Sequence, residues 1–301
     1  MDDQLSAGSA PLRDGRRLGY LAVGPRDGLL VLYLHGAIGS PQEAGTELRA
    51  VTRDLGIRYV MVSRPGFGDS GRVPGRALLD FAADAAALAE GLGHERFAVV
   101  GVSAGGPYAL ACAHELPARV AATAVVSCMA QGACRSAGLT PLGRAALRIV
   151  RQRPQACERA GDAVLGVARR RPRLVARVMR SGAAPADRRL LAEFDAGERA
   201  AARFLAAAGG GIGGMIDDHL VCARPWGFDP QGVHGLVHVW HGLQDRLVPA
   251  DAAVLLAAAL PHARLALDPD EGHFFYRRRL REILGDLTVA AASSARARPR
   301  A

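Results

Sequence analysis

Lysine and asparagine are absent from all 301 residues, so every one of the 38 basic side chains counted is an arginine. Both missing residues need A-rich codons, and a GC-rich coding sequence therefore accounts for the net charge of +9 and the arginine load without a selected anion surface. Aromatic residues make up only 5% and are not interleaved with the arginines, which removes the stacking platforms that single-stranded nucleic acid needs. No nucleic-acid partner is expected. Cysteine is scarce as well. Cys112, Cys128, Cys134, Cys157 and Cys222 are odd in number, widely spaced and without a C-x-x-C pair, so neither a disulfide scaffold nor a zinc knuckle is expected. No apolar run reaches the ~18 residues of a bilayer span. The longest, Val120 to Met129, has the length of a core strand. Met1, Asp2, Asp3 and Gln4 form an acidic start with no apolar stretch behind it, so no secretory signal is read and a cytoplasmic location is the expectation.

Half of the chain is apolar, enough for a large core, and its pattern alternates. An Asp14-Gly15 turn between Leu12-Arg13 and the run Leu18 to Val23 reads as a hairpin. Leu29 to Leu34 is a strand ending at His35-Gly36. Ser40-Pro41 with Glu43 then opens a helix that Gly56 stops. Tyr59 to Val62 is a strand, Leu78 to Leu92 a helix, and Phe97 to Val102 a strand running straight into a helix from Ala104 to His114. Ala121 to Val126 is the next strand. Strands apolar on both faces and separated by helices predict a parallel sheet covered on both sides.

After Met129 the strand rhythm stops. As far as Phe228 the chain offers only Arg- and Ala-rich helical stretches broken by Pro154, Pro172 and Pro185, with a glycine cluster at Gly209 to Gly214 that suits a hinge or loop. Strands return at Val237 to Trp240 and Leu265 to Leu267, with helices at Ala252 to Leu260 and Phe275 to Val289. Residues 1–128 and 229–290 are thus expected to form one α/β core, 129–228 a helical insertion, and 291–301 a disordered tail.

Gly101-Val102-Ser103-Ala104-Gly105 lies where a strand meets a helix. A serine there must take a strained turn, and glycines two positions either side remove the collisions that side chains would cause. Such a hydroxyl needs a base. Of nine histidines, His273 leaves the last strand at the sheet's carboxyl edge, the edge that also carries Ser103. Asp245, in the loop after the strand ending at Trp240, is the acid expected to orient it. Asp217, Asp218, Asp251, Asp268 and Asp270 are its rivals, and the loop after Val126 holds no acid. Oxyanion donors are expected from the backbone N–H groups of Ala104 and of Ala37, with Ile38 second to Ala37.

His35-Gly36, Arg64-Pro65-Gly66-Phe67-Gly68-Asp69-Ser70, the Gly101 to Gly105 elbow, His241 to Pro249 with Asp245, and Gly272-His273 stand in the order Ser, Asp, His. In this the chain resembles the α/β-hydrolase superfamily over nearly its whole length. The resemblance implies an eight-stranded, mostly parallel sheet with helices on both faces and a cap inserted between strands six and seven. Ser63 departs from it, since many relatives carry aspartate there. An ester-type bond (carboxylic ester, thioester or lactone) of a small or medium apolar molecule would be cleaved through an acyl-enzyme, with no metal and no cofactor. C–C bond hydrolysis and cofactor-free haloperoxidase chemistry are alternatives on the same residues, and a non-catalytic small-molecule receptor is the alternative of another class. Ile38, Met129, Met215, Trp226 and Phe228 are the expected pocket lining, and Arg169, Arg170, Arg171, Arg173, Arg177 and Arg180 are expected to face solvent.

Overall fold

The structure is a computed structural model and describes residues 5–37, 46–128, 148–171, 173–175, 177, 183–194, 205, 208–209 and 211–296. Strands β1 (Ser6–Pro11) and β2 (Arg17–Val23) form the expected hairpin, with Gly15 at a φ of +83° in its turn. Then follow β3 (Leu29–Leu34), β4 (Ile57–Val62), β5 (Phe97–Val102), β6 (Val120–Val126), β7 (Val237–Gly242) and β8 (Ala263–Asp268). They make one eight-stranded sheet in the order β1-β2-β4-β3-β5-β6-β7-β8. The pairs β1·β2 and β2·β4 are antiparallel and every other pair is parallel. β4, β5 and β7 are buried at every residue, which is why they read as unbroken apolar runs.

Helices α1 (Thr46–Asp54), α2 (Asp80–Gly91), α3 (Gly105–Glu115), α4 (Pro154–Arg170), α5 (Pro185–Phe194), α6 (Gly213–Cys222), α7 (Asp251–Ala259) and α8 (Leu280–Arg296) complete the described elements. Alternate residues of each strand serve opposite cores. Leu30, Leu32 and Leu34 pack with Phe81 and Leu88 of α2, Tyr108 of α3 and Leu256 of α7. Val31 and Tyr33 pack with Val51 of α1 and Ile283, Leu284 and Leu287 of α8 on the other face. Each such fully buried Leu or Ile contributes roughly 2 kcal/mol through its removal from water.

Between β6 and β7 the described residues with regular structure are helical, as the proline-punctuated sequence predicts. Two expectations are corrected. The final helix does not start at Phe275: a short 3-10 turn (Phe275–Arg277) precedes α8. Nor does it end at Val289, since α8 reaches Arg296, six residues into the expected tail. Ala291 is buried in the core, and Arg96 donates to Ser294 Oγ at 2.8 Å, so this turn of helix has tertiary partners that composition could not reveal. The helix start at Ser40 lies outside the described residues. Among the described residues no helix is long and apolar enough to cross a membrane.

Candidate active site

β3 pairs with β4 on one side and β5 on the other, so the direction of chain progression reverses between β3 and β5. Loops leaving the carboxyl ends of such strands part there and leave a crevice. His35, Gly36 and Ala37 leave β3 at this point, and Ser103 leaves β5.

Ser103 has a φ of +53°, the left-handed conformation that L side chains avoid. It is held by its N–H, which donates to Val126 O at 2.8 Å, and by its carbonyl, which accepts from Gly106 N–H at 3.0 Å. The flanking glycines are steric necessities. A side chain on Gly101 would strike the backbone of Gly105, and one on Gly105 would strike the carbonyls of Leu34 and His35. On the other side a Cβ on Gly36 would stand 3.4 Å from Ser103 Cβ and 3.9 Å from its Oγ. The β3 loop therefore runs alongside the hydroxyl, with Ala37 next in line and Ala104 following Ser103. Ile38 lies outside the described residues.

His273 and Asp245 meet. His273 Nδ1 lies 2.7 Å from Asp245 Oδ2, a bond in which Nδ1–H donates to the carboxylate. The other oxygen of Asp245 accepts the N–H groups of Leu247 and Val248 at 2.8 and 2.9 Å. Burial by itself would raise the Asp245 pKa, but the His241 imidazole close behind it and the hydrogen bonds from His273 and the Val248 amide outweigh that and hold the carboxyl well below the usual range. Asp245 is thus an anion at neutral pH. The rivals are elsewhere: Asp217 pairs with Arg72 at 2.6 Å, Asp268 with Arg279 at 2.7 Å, and Asp218 is enclosed among arginines.

Loop-to-loop bonds set the two residues beside the serine's edge. Gln244 N–H donates to Glu271 O at 2.9 Å, and Gly242 packs directly on the carbonyls of Glu271 and Gly272. Ser127, which follows β6, donates its Oγ–H to His273 O at 3.0 Å, while Ser103 N–H holds the neighbouring Val126 O.

The sequence reading missed three supports of this arrangement. His241, fully buried, donates Nε2–H to Val248 O at 3.0 Å and stands 3.4 Å from Asp245 Oδ2, behind the acid. In the sequence Arg64 stands only as the first residue of the Arg64-Pro65-Gly66 motif. It is fully buried between the rings of Phe67 and Tyr108, donates to the carbonyls of His35 and Gly36, and pairs with Asp218 of α6. Ser127 was passed over because it is not an acid. The side-chain hydrogen bonds of Arg64 and Ser127 join residues 28 to 154 positions apart, which no local pattern announces, whereas His241 reaches Asp245 and Val248 within its own loop, four and seven positions on.

Of the expected pocket residues, Met215 packs on Phe67 and Leu165 where the insertion meets the core, and Met129 lies outside the described residues. Trp226 and Phe228 are corrected. Their rings stack 5.7 Å apart within the main core, and Phe228 lies 4.9 Å from the ring of His114. His114 is at the far end of α3, ten residues and so about 15 Å of helix from Ala104. These two aromatics fill the core and not a pocket at Ser103. The described insertion arginines Arg169, Arg170, Arg171, Arg173 and Arg177 are exposed, as expected. Arg180 is outside the described residues. The glycine cluster is no plain hinge, because Gly213 and Gly214 open α6 and Gly214 sits directly on the Gly66 backbone. A cavity of about 400 Å³ lined by Thr123, His238, Arg264 and Asp286 opens at the amino ends of β6 to β8, the opposite edge from Ser103.

A mostly parallel sheet with a strained serine after β5, a buried aspartate after β7 and a histidine after β8 defines the α/β-hydrolase layout. Residues 31–284 match the model of the alpha/beta hydrolase family, and the chain belongs to that family. A hydrolase from Pseudomonas aeruginosa PA01 shares the fold at a TM-score of 0.63 and 19% identity, covering 98% of this chain and 99% of its own. A thermophilic esterase from Thermogutta terrifontis matches at 0.65 and 21%, with 96% and 99% covered. A bromoperoxidase from Bacillus anthracis matches at 0.70 and 17%, with 96% and 100% covered. No functionally curated protein matches the sequence significantly.

Proposed function

We propose that the protein is a serine hydrolase of ester-type bonds, with Ser103 as nucleophile, His273 as general base and acid, and Asp245 as the residue that orients and stabilises the imidazolium. The observation that carries this reading is the 2.7 Å bond between His273 Nδ1 and an anionic Asp245, made at the same sheet edge as a serine in a strained turn. With Nδ1–H committed to Asp245, Nε2 is left as the basic nitrogen. His273 Nε2 takes the Ser103 proton as Oγ attacks the carbonyl carbon. The N–H groups of Ala37 and Ala104 stabilise the oxyanion. Collapse expels the alcohol or thiol, which receives the proton from Nε2, and leaves an acyl-enzyme. Water, activated by the same nitrogen, then frees the acid.

Residues 129–228 act in this reading as a cap over the serine that excludes water and supplies an apolar surface, Met215 included. Solvent-facing arginines fit a small or medium apolar ester better than a polyanionic one. A fluorophosphonate should label the wild-type protein and fail to label Ser103→Ala, and p-nitrophenyl esters of increasing chain length should be turned over. Labelling that survives the substitution overturns the nucleophile. Tight ligand binding with no turnover of any ester would instead mark a receptor, and turnover only of C–C substrates a lyase-like hydrolase.

A further inference from the structure

The peptide unit that follows His273 is held at both of its polar ends. Its carbonyl oxygen accepts from Ser127 Oγ at 3.0 Å, and its N–H, which belongs to Phe274, donates to Asp187 Oδ1 at 2.9 Å. Ser127 is fully buried at the end of β6 with a φ of +49°, a left-handed conformation that serine adopts only when its surroundings impose it. Asp187 stands in the first turn of α5, in the insertion, and is 2% exposed. A Cβ on Gly272 would lie 2.6 Å from Asp187 Cγ and from both of its oxygens, so the carboxylate rests on the main chain just before His273.

A buried carboxylate is costly unless something compensates it. Among the described residues no arginine or histidine forms an ion pair with Asp187, and its hydrogen-bond donor is the Phe274 amide. The geometry points to a role for that cost. We propose that Ser127 and Asp187 are positioning residues for His273, a clamp with one jaw in the core and one in the insertion. Together they fix the plane of the peptide from which the imidazole departs, so that Nδ1 stays on Asp245 and Nε2 on the serine side. The insertion then does more than shape a pocket, because its seating on the core completes the base. This inference rests on the reading of His273 as the base.

The test uses the full-length protein and a p-nitrophenyl ester. Asp187→Leu removes the acceptor and should lower kcat by about tenfold to a hundredfold with KM unchanged, the signature of a displaced catalytic group. Asp187→Asn keeps an oxygen for the Phe274 N–H and should recover most of that loss. Ser127→Ala frees the other end of the same peptide and should show the same kcat loss, and it decides the matter if Asp187→Leu does not fold. In each slowed variant the low-field proton resonance of the His273–Asp245 hydrogen bond should shift or broaden. Folded variants with wild-type kcat and an unchanged resonance overturn the clamp. Failure of the wild-type protein to be labelled at Ser103 would instead overturn the hydrolase reading on which the clamp depends.

Discussion

Arg64 and Asp218 form a pair of hydrogen bonds, at 3.2 and 2.7 Å, across 154 residues of sequence, and neither side chain is exposed at all. Arg76 and Tyr108 add bonds to the same carboxylate at 3.2 and 2.8 Å. Because Arg64 also donates to the carbonyls of His35 and Gly36, this pair joins α6 of the insertion to the loop beside Ser103.

Removing the carboxylate leaves two buried guanidinium groups without their counter-ion. Asp218→Ala is therefore expected to destabilise the fold by about 3–5 kcal/mol. Urea unfolding of the wild-type protein and the variant measures it. A loss below about 1 kcal/mol, the range of an exposed pair, would show that the pair is not holding the insertion down.

In the proposed mechanism Asp245 holds His273 in the tautomer that leaves Nε2 basic, and an amide in its place would present a donor where the imidazole also donates. Asp245→Asn should lower kcat by about 10⁴-fold with little change in KM. Near wild-type turnover would transfer the role to another acid, Asp268 or Asp270.

His35 should make the fold acid-sensitive above the carboxylate range. Burial, then the Arg64 guanidinium, push its pKa down to about 3 from the ordinary 6.5, so it is neutral when folded. Below 6.5 the unfolded chain takes up a proton that the folded chain refuses until about 3. The His35 contribution is therefore complete above the upper value and shrinks as the pH falls through this window, by at most about 1.4 kcal/mol per pH unit. Urea midpoints between about pH 7 and about pH 5 should fall in the wild-type protein and fall less in His35→Gln. Equal slopes would rule His35 out as the cause.

Two glycine substitutions in the insertion should act with opposite sign. A side chain on Gly214 would strike the Gly66 carbonyl, which is main chain and cannot step aside, so Gly214→Ala should cost roughly 1–3 kcal/mol by overpacking. For Gly166, within α4, no atom of the described residues beyond its own helix backbone lies within 4 Å of where a Cβ would stand, and Gly166→Ala should stabilise by about 0.5–1 kcal/mol. Thermal denaturation of both variants checks the pair, and a stabilised Gly214→Ala would contradict the close packing of α6 on the core.

The core strands and the loops that carry Ser103, Asp245 and His273 were legible in the sequence. Their signals are local: apolar runs of strand length, glycines either side of a serine, and loops whose edge follows from parallel topology alone. The partners of those loops were not legible. Asp218 stood out only as a rival for the catalytic acid, Asp187 gave no signal within an arginine-rich insertion, Ser127 lay in a loop that holds no acid, and Trp226 and Phe228 looked like pocket walls. What separates a clamp from a solvated charge, or a core ring from a lining ring, is burial against residues more than a hundred positions away in some cases, as for Ser127 and His273 at 146. Period and composition fix which backbone elements form and which edge they share. Only packing in three dimensions decides which buried polar groups must find one another, because an unpaired one is too costly to leave inside.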